Sequence, residues 1–94
     1  MKVYTLKYNL RFQKLGEEYV GVAVGEDTSR FGEMLRLNET AVCVAEMLRE
    51  PHTVAEIAQR LYQEYDEDLE TLTVVVEGMM REYVKEGWID EQEN

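Results

Sequence analysis

The periodicity of the apolar residues changes once along this chain, at Asn38, and that change constrains the fold more than any other feature. From Leu10 to Leu37 the pattern has period two, the signature of strands with one buried face. Leu10, Phe12 and Lys14 share one side of a first strand. Tyr19-Val20-Gly21-Val22-Ala23-Val24 is rich in β-branched residues and is bounded by Gly16-Glu17-Glu18 and Gly25-Glu26-Asp27, which read as turns. Phe31 to Leu37 makes a third strand, with Glu33, Leu35 and Leu37 on one face and Gly32, Met34 and Arg36 on the other. A three-stranded antiparallel meander is expected.

Asn38 is among the strongest N-cap residues, because its side-chain oxygen accepts an orphan backbone N–H. Ala41, Val44, Ala45 and Leu48 then fall at i, i+3, i+4 and i+7, and the helix ends near Arg49-Glu50-Pro51 because proline disfavours helix at the residue before it. Thr53-Val54-Ala55-Glu56 has the form of a capping box, followed by Val54, Ile57, Ala58, Leu61, Tyr62 and Tyr65 along one face. Behind the acidic run Asp66-Glu67-Asp68, which favours a helix start, a third helix runs from about Leu69 to Glu86, with Gly87 as its C′ residue. The acidic tail Asp90-Glu91-Gln92-Glu93-Asn94 is expected to fray.

The apolar positions of the third helix, Leu69, Leu72, Val75, Val76, Met79, Met80, Tyr83 and Val84, spread over roughly half its circumference, whereas core contact needs a stripe of about 100°. Two readings follow. Either the domain surrounds the helix on two sides, or one flank lines a groove for a partner.

At 94 residues the chain supports one domain with one hydrophobic core, assigned here to residues 1–94 with the core over about 10–90. Cys43 is the only cysteine, so an intrachain disulfide is excluded and a reducing, cytoplasmic setting is expected. No stretch approaches the roughly 20 apolar residues of a membrane span, so no membrane partner is expected. The net charge of −10 is uneven: residues 1–36 carry six basic and five acidic side chains, and residues 37–94 carry four and fifteen. Nucleic-acid affinity comes from Lys and Arg displacing condensed counterions, so the second half would be repelled by phosphate.

Three strands followed by three helices make an α+β, winged-helix-like domain. Four segments narrow the field: Leu35-Arg36-Leu37-Asn38-Glu39-Thr40-Ala41, Thr53-Val54-Ala55-Glu56-Ile57, Leu61-Tyr62-Gln63-Glu64-Tyr65-Asp66, and Tyr83-Val84-Lys85-Glu86-Gly87-Trp88-Ile89. In order and spacing they resemble the PqqD-like family over about residues 10–90. The resemblance departs at Arg49-Glu50-Pro51-His52, where an Asp-Gly often stands in the family, and at Val74-Val75-Val76, where an acidic residue is usual. It implies a recognition element for ribosomally made precursor peptides, without catalysis or cofactor. Such an element binds the leader segment and presents it to a modifying enzyme, often a radical-SAM protein.

In that family the leader adds as a strand to the edge of the third strand and lies between it and the third helix. Carried onto this chain, the resemblance and the wide helix face together give Phe31, Glu33, Met34, Leu35, Arg36 and Leu37 on the strand side. Leu72, Val75, Val76, Met79 and Tyr83 form the helix side. For each of these, simple core packing is the alternative. Arg36, Arg30 and Lys14 could attract acidic leader residues or could equally belong to a solvated strand face.

No catalytic or metal-binding constellation is evident. His52, the only histidine, stands beside Pro51 in a connector and reads as a surface residue; Cys43, between Val42 and Val44, reads as a small buried hydrophobe. Asp66-Glu67-Asp68-Glu70 lacks the glycine turn and ligand spacing of a calcium loop. Two rival functions share the coarse pattern. A winged-helix transcription regulator is opposed by Glu70, Glu77, Glu82 and Glu86, which outnumber Arg81 and Lys85 on the third helix. A scaffold that forms a homodimer through its strand edge has the same sequence signature as a peptide-binding edge.

Overall fold

The structure, a computed structural model, describes residues 1–93. In chain order its elements are strands β1 (Lys2–Leu6), β2 (Leu10–Leu15) and β3 (Glu18–Ala23), a 3₁₀ turn (Gly25–Thr28), β4 (Leu35–Leu37), helices α1 (Glu39–Met47), α2 (Val54–Tyr62) and α3 (Leu69–Glu86), and β5 (Ile89–Glu93). The α+β class and the antiparallel meander β2-β3-β4 agree with the sequence pattern. The boundaries of α1 and α3 agree closely as well, whereas α2 ends at Tyr62, short of Tyr65, and both tyrosines are exposed.

Local chemistry explains that agreement. Asn38 Oδ1 accepts from the Ala41 amide at 2.8 Å, Thr53 and Glu56 form both halves of the capping box, and Asp68 Oδ1 accepts from the Thr71 amide at 2.7 Å. Gly87 closes α3 at φ 92°, a left-handed conformation that glycine adopts without a Cβ penalty.

The bond to the Thr71 amide holds the Asp68 carboxyl below its ordinary 3.8. A depressed carboxyl supports the folded state fully above its unfolded pKa and loses that support as pH falls through the folded one. The first turn of α3 should therefore open in acid, below about pH 3.8. The measurement is hydrogen-exchange protection of the Thr71 amide, which should fall there relative to mid-α3 amides; unchanged relative protection would contradict the cap.

Two elements differ from the sequence reading. The expected strand Phe31–Leu37 shortens to Leu35–Leu37. Phe31 is drawn into the core, its ring stacked on Tyr8 at 5.0 Å and its amide bonded to the Asp27 carbonyl at 3.0 Å, so the chain here follows the 3₁₀ turn and not β3.

The tail expected to fray is also ordered, as strand β5 paired antiparallel with β1 from Ile89–Leu6 to Glu93–Lys2; Asn94 lies outside the described residues. Glu91 holds this second sheet together, accepting from Tyr4 Oη at 3.0 Å and pairing with Lys2 Nζ at 3.3 Å. On its other side β1 exchanges backbone bonds with His52, from the Tyr4 amide at 2.8 Å and to the Tyr4 carbonyl at 3.0 Å. His52 is thus a half-buried anchor through its main chain, not simply a loop residue.

One core unites the two sheets and the helices, built on Leu10, Leu48, Ile57, Leu61, Met80 and Trp88. Cys43 departs from expectation: it is half-buried, with Sγ directed at Glu64 Oε2 at 3.8 Å. The meander packs against this core through Leu10, Phe12, Gly21 and Leu35. A Cβ on Gly21 would stand 2.8 Å from Phe12 Cε1 and 3.6 Å from Leu35 Cβ. The Arg49 guanidinium also lies over the Phe12 ring, 5.6 Å from its centroid. Gly21→Ala should therefore cost about 1–3 kcal/mol through overpacking, read as a melting temperature several degrees lower; an unchanged melt would mean that the ring moves freely.

Candidate functional site

In the meander, β3 covers one side of β4, and no strand covers the other side among the described residues. That free edge faces α3. At one end, Phe31 stacks on Tyr8, and the neighbouring Lys7 amide donates to the Trp88 carbonyl at 3.0 Å, just beyond the end of α3. At the other end the Thr40 and Tyr65 hydroxyls bond at 2.8 Å, just before α3 begins. The segment 31–40 and α3 therefore run in opposite directions, with a cleft between them.

The cleft opens as a depression of about 500 Å³ lined by Glu33, Met34, Leu35, Arg36, Leu37 and Glu86. A second depression, about 440 Å³, lies on the other flank of α3, where Glu77, Arg81 and Val84 face Tyr4 and Val54. Between the two flanks, Leu72, Val76 and Met80 form the fully inward stripe of the helix. At 100° per residue, Val75, Met79, Glu82 and Glu86 form the adjacent stripe at i, i+4, i+7 and i+11. Glu86 places that stripe on the β4 side.

The structure sorts the eleven sequence-predicted residues by depth. Phe31, Leu35, Leu72 and Val76 belong to the buried core, so for these the core alternative describes the free protein. Leu37, Met79 and Tyr83 are half-buried and packed against that core. Glu33, Met34, Arg36 and Val75 are exposed; Met34 keeps 62% and Val75 47% of its surface in water, a high fraction for apolar side chains beside a cleft. The half-circumference apolar face of α3 thus divides into a core stripe and an accessible flank.

Glu86 was missed by the sequence reading. Its signal was available in its spacing, seven residues beyond Met79 and three beyond Tyr83, but an acidic side chain near a helix end reads as solvent-facing. Glu86 Oε1 accepts from Trp88 Nε1 at 3.1 Å, which fixes the carboxylate at the rim. Burial, then Glu86 and Glu82, push the Tyr83 hydroxyl above its ordinary 10.0.

Of the three basic residues considered for this region, Arg36 alone lines the cleft. Lys14 sits on β2, at the opposite edge of the sheet, 6.0 Å over the Tyr19 ring. Arg30 pairs with Asp27 at 3.4 Å. Burial and then Glu64 raise the Cys43 thiol above its ordinary 9.0, which keeps it protonated near neutrality and weakens it as a nucleophile. Among the described residues no group of three or more His, Cys, Asp or Glu side chains is placed to hold a metal ion, and no helix is long and apolar enough to cross a membrane.

The family model for coenzyme PQQ synthesis protein D (PqqD) matches residues 14–89. The curated proteins give no match. Among solved structures, the chain is similar to the PqqD truncation of Methylobacterium extorquens PqqCD, determined by solution NMR, with a TM-score of 0.71 and 22% sequence identity. The match covers 94% of this chain and 88% of that one. That protein is a functional, stand-alone recognition element for ribosomally synthesised and post-translationally modified peptides.

Proposed function

The chain belongs to the PqqD family, and from that membership we propose that it binds the leader segment of a ribosomally made precursor peptide and presents it to a modifying enzyme, without itself catalysing a reaction. The leader adds as a strand to the free edge of β4 and lies against the Val75–Met79 flank of α3. The observation that carries this reading is the free edge of β4 beside a depression that Glu86 closes from the helix side; helical spacing sets Val75 and Met79 on the same stripe of α3 as Glu86. An unpaired edge offers N–H and C=O groups to an extended chain, and alternate side chains of that chain enter the pockets beside it.

The energetics suit a carrier. About three apolar leader residues buried for roughly 2 kcal/mol each, with about four main-chain bonds at roughly 1 kcal/mol each, give a gross gain near 10 kcal/mol. Ordering the leader costs about 2–5 kcal/mol, which leaves a micromolar or weaker complex. The peptide can then leave after modification. A radical-SAM protein is the enzyme class that family resemblance favours as the partner.

The regulator reading fares less well, because α3 buries its apolar stripe in the core and exposes more carboxylates than cations. The test is calorimetric titration of the chain with the N-terminal segment of a short precursor encoded beside its gene. Micromolar heat with a negative heat-capacity change is expected; no heat at several temperatures would overturn the proposal.

A further inference from the structure

We propose that the cleft selects leaders in which a lysine or arginine follows an apolar anchor by four residues. This rests on the leader-binding reading of the same cleft and adds the chemical class of leader it takes.

The flank of α3 beside β4 is polarised along its length. Its N-terminal half presents Val75 and Met79, and its C-terminal half presents Glu82 and Glu86. Glu33, from the opposing strand segment, lines the same end as Glu86, and no ion pair occupies Glu33, Glu82, Glu86 or Arg36 among the described residues. The carbonyl end of α3 adds partial negative charge there. Arg36 is the one cation of the depression, and its register opposite Val20 sets its side chain on the outer face of the sheet, away from the inward Leu35 and Leu37. Three carboxylates and a helix terminus against one outward arginine leave this end of the cleft negative. The excess of acidic residues after position 36 steers cationic peptides the same way.

Spacing and direction follow from the geometry. Val75 to Glu82 spans seven helical residues, about 10 Å, and Val75 to Glu86 eleven, about 16 Å. An extended peptide covers these distances in about three and five residues, and because its side chains alternate between faces, a spacing of four sets the anchor and the basic residue on the same side, toward α3. All pairings in the meander are antiparallel. A strand continuing that order on β4 runs in the direction of α3, so its basic residue comes after the apolar anchor.

The probes are synthetic extended peptides of one length, each with a leucine anchor and, four residues later, lysine, glutamine or glutamate, with a fourth in which leucine and lysine are exchanged. Binding is read by fluorescence anisotropy, and location by amide shifts at Leu35–Leu37. The lysine peptide should bind about fivefold tighter than the glutamine peptide and about twentyfold tighter than the glutamate and exchanged peptides at low salt. The preference should shrink in high salt and in Glu82→Gln/Glu86→Gln. If all four bind equally and all shift the β4 amides, the charge selection is wrong while the leader cleft stands. If none shifts those amides, the selection and the leader cleft fall together.

Discussion

With Met34 and Val75 both replaced by aspartate, the chain should keep its circular dichroism and melting temperature and bind leader at least about a hundredfold more weakly. Both side chains are exposed in the free protein, so their replacement costs the fold little, within about 0.5 kcal/mol each. In the complex each loses roughly 1.5–2 kcal/mol of apolar burial, and each new carboxylate must also be desolvated. The pair Val75 and Met79, equally apolar in the sequence, is the poorer test, because Met79 packs against the core and its loss would destabilise the domain. Titration of the double variant with the precursor leader decides the matter; wild-type affinity in a folded variant would remove these residues from the site.

The largest effect on stability should come from Trp88→Ala. Trp88 is fully buried, its ring lies 4.6 Å from that of Tyr83, and its carbonyl accepts from the Lys7 amide at 3.0 Å. It thus joins the end of α3 to the turn between the two sheets. Truncation of a buried tryptophan costs about 3–5 kcal/mol, a large part of the roughly 5–15 kcal/mol that holds a domain together. The melting temperature should drop by at least about 12 °C, measured by calorimetry. A smaller drop would show that the β1–β5 sheet can refill the space.

The parts of the fold that the sequence made legible are those whose causes are local. Asn38, Thr53 with Glu56, Asp68 and Gly87 mark helix ends because each satisfies or closes a neighbouring backbone group within four residues. The β1–β5 sheet was missed because its causes are distant. Ile89-Asp90-Glu91-Gln92-Glu93 has the composition of a solvated tail, and only the arrival of Lys2, Tyr4 and the Met1 amine beside Glu91 and Glu93 makes it a strand. Phe31 continued an alternating pattern in sequence, but its stacking on Tyr8 removed it from the strand.

The candidate site divides along the same line. That α3 carries more apolar surface than a core stripe requires was readable from spacing alone. Which flank remains exposed was not, because β5 and α2 cover one side and β4 stops short on the other. Leu72 and Val76 therefore turned out to be core, and Val75 surface.

The central claim is that a peptide joins the free edge of β4. Its most direct test is amide hydrogen exchange of the β4 segment and α3 with and without the precursor leader. Slowed exchange within 33–37, with resonance shifts along Val75, Met79, Glu82 and Glu86 and none along β5, is the predicted result. Protection confined to the β1–β5 sheet or to the Tyr4–Arg81 depression, with the β4 segment unchanged, would contradict it.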